Sequence, residues 1–255
     1  MRTAICLSGQ SRTWKKCWQN WNEQIVASVG QVDWFVHFWD YNNLPQQIAA
    51  GMSKNGELPV ALISDQEKLD IINTIRPKAI VFEPRIHRSK DFYKVRNPVA
   101  FWTIDQFDSM RKAAHLKRTH EIEHDFNYDL VIRLRSDLFF VQKQHFSIPP
   151  APNTIHVDSC TWDDAFQAYR VSDIFFFADS AAYDQAASFY DHMPYIDAAT
   201  VTPDSSTLVW PPEVAFYYYY KSVGLCTTPA RSHIKVMRTP EYVALKGRLD
   251  AYEII

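Results

Sequence analysis

Short apolar runs that break abruptly into polar residues, each followed by a segment of helical periodicity, restrict this chain to an α/β architecture. Thr3 to Leu7 is apolar and ends in Ser8-Gly9-Gln10-Ser11-Arg12. After it, Trp14, Cys17, Trp18, Trp21 and Ile25 recur at spacings of three and four, which sets them on one helix face. Val32 to Trp39 reads as a second buried strand with Asp40 at its carboxyl end, and Lys78 to Phe82 as a third. Between them, Ser64 and Glu67 form an S-x-x-E capping signal for a helix whose apolar face is Leu69, Ile72 and Ile75 and which Pro77 stops. Asn97-Pro98 opens a longer helix, with Ile104, Phe107, Met110 and Ala114 as its buried face and an end near His124.

The following segment, YDLVIRLRSDLFF from Tyr128 to Phe140, is an apolar strand that turns abruptly charged. Thr154 to Val157 and Val171 to Phe177 are further buried strands. Asp179-Ser180 caps a helix reaching about Tyr190, and Pro211-Pro212-Glu213 opens the last strong helix, closed by Gly224. His192 to Trp210, rich in Pro, Thr, Ser and Asp, reads as a loop over a site. The predicted fold is a mostly parallel central sheet with helices on both faces, in one domain spanning residues 1–255. In such sheets ligands bind beyond the carboxyl ends of the strands.

A formal net charge of −2 supplies no field for a nucleic-acid backbone, so no nucleic-acid partner is expected. Cys6, Cys17, Cys160 and Cys226 are scattered without a CxxC pair, which argues for buried thiols in a reducing compartment rather than a zinc site or a disulfide framework. The opening residues lack the apolar run of a signal peptide, and no stretch approaches the length of a transmembrane segment, so a cytoplasmic location is expected. The Trp-rich first helix and Tyr217 to Tyr220 read as core and as a face for a homodimer.

Four groups of residues stand where chemistry is expected. Ser8, Gly9, Gln10, Ser11 and Arg12 link a strand to a helix N-terminus, where backbone amides and the helix dipole favour a phosphate and Arg12 can pair with a diphosphate. The run is neither GxGxxG nor a Walker loop. Arg133 and Arg135 point to one side of their strand, and Asp137 lies just past its end, where a diphosphate-bound cation needs an oxygen ligand. An internal Arg–Asp ion pair is the alternative there. Asp173, inside VSDIFFF, must be hydrogen-bonded or face a cleft. Glu213, at a helix start, is either a dipole partner or a general base, and His233 with Lys235 is a candidate late contact to metal or diphosphate.

AICLSGQSRTW at the start, YDLVIRLRSDLFF in the middle and VSDIFFFAD later resemble, in order, the GT-A nucleotide-diphospho-sugar glycosyltransferases. The likeness is to the WavE-like lipopolysaccharide-synthesis proteins and their viral relatives in particular. That resemblance implies a GT-A (Rossmann-like) fold and transfer of a sugar, hexosyl transfer by preference, from a nucleotide-sugar donor to a glycan or lipid-linked sugar acceptor. GT-A enzymes bind metal and diphosphate through a DxD element, which here reads Arg135-Ser136-Asp137. Asp137 is then the metal ligand, joined by His233, for Mn²⁺ or Mg²⁺, and Arg135 can instead neutralise the diphosphate directly. Ser8 to Arg12, Asp40, Arg133 and Arg135 would hold the nucleotide sugar, with Glu213 or Asp173 as catalytic base. A non-catalytic nucleotide-sugar or glycan-binding protein on the same fold is the competing expectation, and a nucleotidyltransferase the third.

Overall fold

The computed structural model describes residues 1–43, 60–84, 99–146, 148–164, 168–193, 212–230, 232–237 and 253–254. The expected helix opening at Asn97-Pro98, most of the His192 to Trp210 loop, Pro211, Arg231 and Arg238 lie outside them.

A seven-stranded sheet forms the centre. Its strands in chain order are β1 (Thr3–Gln10), β2 (Val32–Trp39), β5 (Ala79–Glu83), β6 (Leu130–Arg135), β8 (Thr154–Val157), β11 (Phe176–Ala178) and β12 (Cys226–Pro229). Across the sheet they run β12-β8-β11-β6-β1-β2-β5. β1 pairs in parallel with both β2 and β6, β2 with β5 and β12 with β8, while β11 is antiparallel to its neighbours β6 and β8. The expected mostly parallel sheet is therefore present, with one reversed strand.

Strand alternation sorts the apolar side chains to two faces. Ala4, Cys6, Phe35 and Val131 join one buried cluster, and Ile5, Leu7, Trp34, Val36, Leu130, Ile132 and Leu134 the other. Helices α1 (Trp14–Trp21) and α2 (Asp65–Ile75) cover the second face. Helices α3 (Val99–His124), α4 (Ser180–Ala187) and α5 (Pro212–Ser222) cover the first. α1 continues through a π-helical turn at Asn22–Val26. The stripes predicted for α1 and α3 are buried at Trp14, Cys17, Trp21, Ile25, Ile104, Phe107, Met110 and Ala114, while Trp18 is half-buried against the same cluster.

Helix α2 corrects the expectation. Ser64 accepts the Glu67 amide at 3.1 Å, as a cap should, but Leu69 and Ile72 are exposed and Ile71 and Ile75 carry the burial. The i, i+4 pair Ile71 and Ile75 packs into the cluster beneath the second sheet face, and Glu67 accepts the Ser11 hydroxyl at 2.8 Å beside it.

The Tyr128 to Phe140 strand is two strands. β6 ends at Arg135, a turn holds Ser136 and Asp137, and β7 (Leu138–Phe140) leaves for a three-stranded sheet with β13 (Ile234–Val236) and β14 (Glu253–Ile254). α1 fixes that departure: Asn20 donates to and accepts from the Phe140 backbone at 2.9 and 2.7 Å, and Trp21 Nε1 donates to the Leu138 carbonyl at 2.7 Å. The expected Val171 to Phe177 strand is also broken, into the end of β10 (Ala168–Val171), a bend, and β11. β10 forms a hairpin with β9 (Cys160–Asp163). Asp173 therefore sits in the bend rather than in a strand. Cys6 and Cys17 are buried free thiols, whereas Cys160 is half-buried and Cys226 exposed, because Cys226 opens the edge strand β12. Among the described residues no helix is long and apolar enough to cross a membrane.

Candidate active site at the carboxyl edge of the sheet

β1 is followed by β2 on one side, whereas β6 lies on its other side, so the crossover direction reverses between β1 and β6. A crevice beyond the carboxyl ends of these two strands is the ligand position that such a reversal creates. Arg12 and Arg135 meet there on Asp137. Arg12 Nη1 donates to Asp137 Oδ2 at 2.7 Å, and Arg135 grips both oxygens, Nε to Oδ1 at 3.0 Å and Nη2 to Oδ2 at 2.8 Å. The Asp137 side chain is 1% exposed, against 29% for Arg12 and 14% for Arg135. Burial works against the Arg135 charge, but Asp137 outweighs it and raises its pKa.

This geometry does not fit the metal expected at Asp137. A hard cation needs carboxylate oxygens open to it, and both of these oxygens already accept guanidinium hydrogens. His233 does not join Asp137 either. The β7–β13 register sets Met237 on Asp137, with Met237 N bonded to the Asp137 carbonyl at 2.6 Å, whereas the His233 carbonyl accepts Val141 N at 2.9 Å. Four residues of strand separate the two, about 13 Å.

Arg133 is fully buried. Its Nε donates to the Asp173 carbonyl at 2.7 Å and its Nη1 to Ser8 Oγ at 2.9 Å, and Nη2 has no hydrogen-bond partner among the described residues. None of these acceptors is a carboxylate. Burial lowers the Arg133 pKa, with Tyr183 and the charge of Asp173 opposing it.

The expected loop from Ser8 is partly strand: Ser8, Gly9 and Gln10 continue β1 beside β2, and Ser11 and Arg12 follow it toward α1. Ser8 and Ser11 are buried, and Ser11 is tied to α2 through Glu67. Gly9 N donates to Ser109 Oγ at 2.8 Å, and Trp14 N, at the start of α1, to the Ser11 carbonyl at 3.0 Å. Gln10 Oε1 accepts Arg12 Nε at 3.0 Å. Gly9 at φ 120° and Arg12 at φ 42° hold backbone conformations that side-chain-bearing residues seldom adopt. Asp40 lies at the same edge toward β5, where its amide bonds to the Glu83 carbonyl at 2.8 Å.

The other end of the crevice is acidic. Gln106 Nε2 donates to Asp173 Oδ2 at 2.5 Å, which fixes the bend before β11. Glu213 opens α5 at the same edge, and its pKa is raised, chiefly by burial and then by the charge of Asp173. Sequence reasoning missed Asp158. It follows β8, is buried, and has its carboxyl pushed up to about 7 by burial, with Asp173 adding to the rise and Ser172 opposing it. An acid directly after the apolar run Thr154 to Val157 was the available signal. One turn beyond Glu213 stands Tyr217, whose ring lies 5.6 Å from Tyr169, and Tyr169 in turn meets Trp162 at 5.1 Å. Trp162 and Tyr169 are exposed, so the β9–β10 hairpin presents a bare aromatic surface beside the acids.

The chain matches no protein-family model and has no significant match among curated proteins.

Proposed function

We propose that this chain is a GT-A-type glycosyltransferase that moves a sugar from a nucleoside-diphosphate sugar to a hydroxyl of a glycan or lipid-linked sugar. The observation that carries the reading is Arg133, a buried cation without a carboxylate partner at the topological switch point, flanked by Arg12 and Arg135. Three guanidiniums suit a diphosphate, which offers planar sets of oxygens to bidentate donors. The crevice is polarised to match such a donor: cationic between β1 and β6, carboxylate-lined around Asp158, Asp173 and Glu213. Carboxylates accept hydrogen bonds from sugar hydroxyls, and the aromatic surface of Trp162 and Tyr169 suits the apolar face of an acceptor ring.

In the reaction, the bond from the anomeric carbon to the diphosphate oxygen breaks and the oxygen keeps the electron pair. Arg12, Arg133 and Arg135 stabilise that developing charge without reorganising. The acceptor oxygen bonds to the anomeric carbon while Glu213 takes its proton. The raised Glu213 pKa brings it closer to working pH, as a general base requires. Direct attack of this kind inverts the anomeric centre. Asp173 positions sugar hydroxyls through the bend that Gln106 and Arg133 hold.

The test is thermal stability against UDP, GDP, CDP, CMP and their sugars, with and without Mn²⁺, followed by donor turnover. A midpoint rise with one nucleotide that persists without Mn²⁺ and is lost in Arg135→Ala supports the arginine-held diphosphate. Absence of a shift with every nucleotide overturns the reading. Binding with neither transfer nor donor hydrolysis makes the chain a binding protein.

A further inference from the structure

We propose a zinc-binding site formed by His120, Glu123 and His124 on the last turns of α3, at the sheet edge opposite the candidate active site. Ligand atoms of the three side chains lie within 4.8 Å of one another, the one such group of three His, Cys, Asp or Glu residues among the described residues. A spacing of four residues puts both histidines on one helix face, and their rings stand 4.1 Å apart between centroids.

The two imidazoles are prepared for a metal in different ways. His124 Nδ1 lies 2.9 Å from the His120 carbonyl, and because a carbonyl only accepts, Nδ1 carries the proton and Nε2 keeps its lone pair. A metal-ligating histidine commonly has its other nitrogen fixed in this manner. His120 is half-buried between Phe35 and Phe126, with ring centroids at 5.6 and 5.9 Å, which orients its ring. The site also closes the carboxyl end of a 26-residue helix, where the dipole favours a cation.

Two imidazoles and a carboxylate, with water completing the shell, are a donor set for Zn²⁺ rather than Ca²⁺ or Mg²⁺. The run His120-Glu121-Ile122-Glu123-His124 has the H-E-x-x-H spacing of zinc hydrolases, in which the first acid serves as base. Here that acid is turned inward. Glu121 is buried and accepts from Lys117 Nζ at 2.8 Å, Ser180 Oγ at 2.6 Å and Tyr128 N at 2.8 Å. Glu121 is therefore committed inside the protein and not to a metal-bound water, and the proposed zinc ties down the helix end.

Calorimetric titration of the tag-free full chain with zinc chloride alone tests the site. The expected result is one equivalent bound with a rise in Tm, weakened at least about tenfold in His124→Ala and in His120→Ala and less in Glu123→Gln. His115→Ala, on the same helix, is the control and leaves binding unchanged. Absence of zinc binding by the wild-type chain overturns the proposal, as does undiminished binding in the His120→Ala/His124→Ala variant or equal loss in His115→Ala. Circular dichroism shows that the variants are folded, and nucleotide binding at the far edge stays unchanged.

Discussion

Arg12 and Asp137 are 125 residues apart in the chain and 2.7 Å apart in the fold. That contact closes the crevice between β1 and β6, and with Arg135 it converts an expected metal ligand into the anchor of a cationic clamp. Removing the buried acid leaves two guanidiniums facing each other. Asp137→Ala should lower the unfolding free energy in urea by about 3–5 kcal/mol. Arg12→Ala, at the exposed end of the pair, should lose far less.

Stability should carry the signature of Asp158. Its folded pKa of about 7 exceeds that of an unfolded aspartate, so the folded state disfavours ionisation. Below about pH 4 both states are protonated and nothing is lost. Between about pH 4 and 7 the unfolded state ionises first and stability declines, then levels off above about pH 7. Asp158→Asn should therefore nearly match the wild type in urea titrations at pH 4 and exceed it at pH 8 by on the order of 4 kcal/mol.

Loss of the proposed base should separate binding from turnover. Glu213→Gln should bind the nucleotide as the wild type does, while kcat for transfer falls roughly 10²- to 10⁴-fold. Full kcat in this variant would remove Glu213 from the reaction and leave Asp158 or Asp173 to be tested the same way.

The aromatic surface gives a third separable effect. Trp162→Ala should raise KM for the acceptor roughly three- to tenfold with donor hydrolysis unchanged, since the ring is exposed and supports no core. Initial rates at varied acceptor concentration decide it.

Much of the frame could be read from periodicity. The strands β1, β2, β6 and β8 and the stripe Ile104, Phe107, Met110, Ala114 follow from spacing alone, because each side chain's face is set by its own element. The chemistry near Asp137 was located for the same reason, as the polar end of an apolar run. Its role was not legible, because the guanidinium that locks it comes from a loop distant in sequence. The sequence places Asp173 in a strand because Phe175 to Phe177 continue the apolar run, and only pairing with β6 and β8 shows where the ladder begins. Leu69 and Ile72 fit a helical stripe as well as Ile71 and Ile75 do, and only packing against the sheet separates them.

The uneven burial of the four thiols has a practical side. Cys6 and Cys17 are pushed up to about 12 by burial, Cys160 is raised for the same reason, and Cys226 stands exposed at the amino end of β12. A maleimide fluorophore will thus react first at Cys226, at the amino end of the edge strand and on the opposite end of the sheet from Asp137, which makes that thiol a handle for a dye or tether.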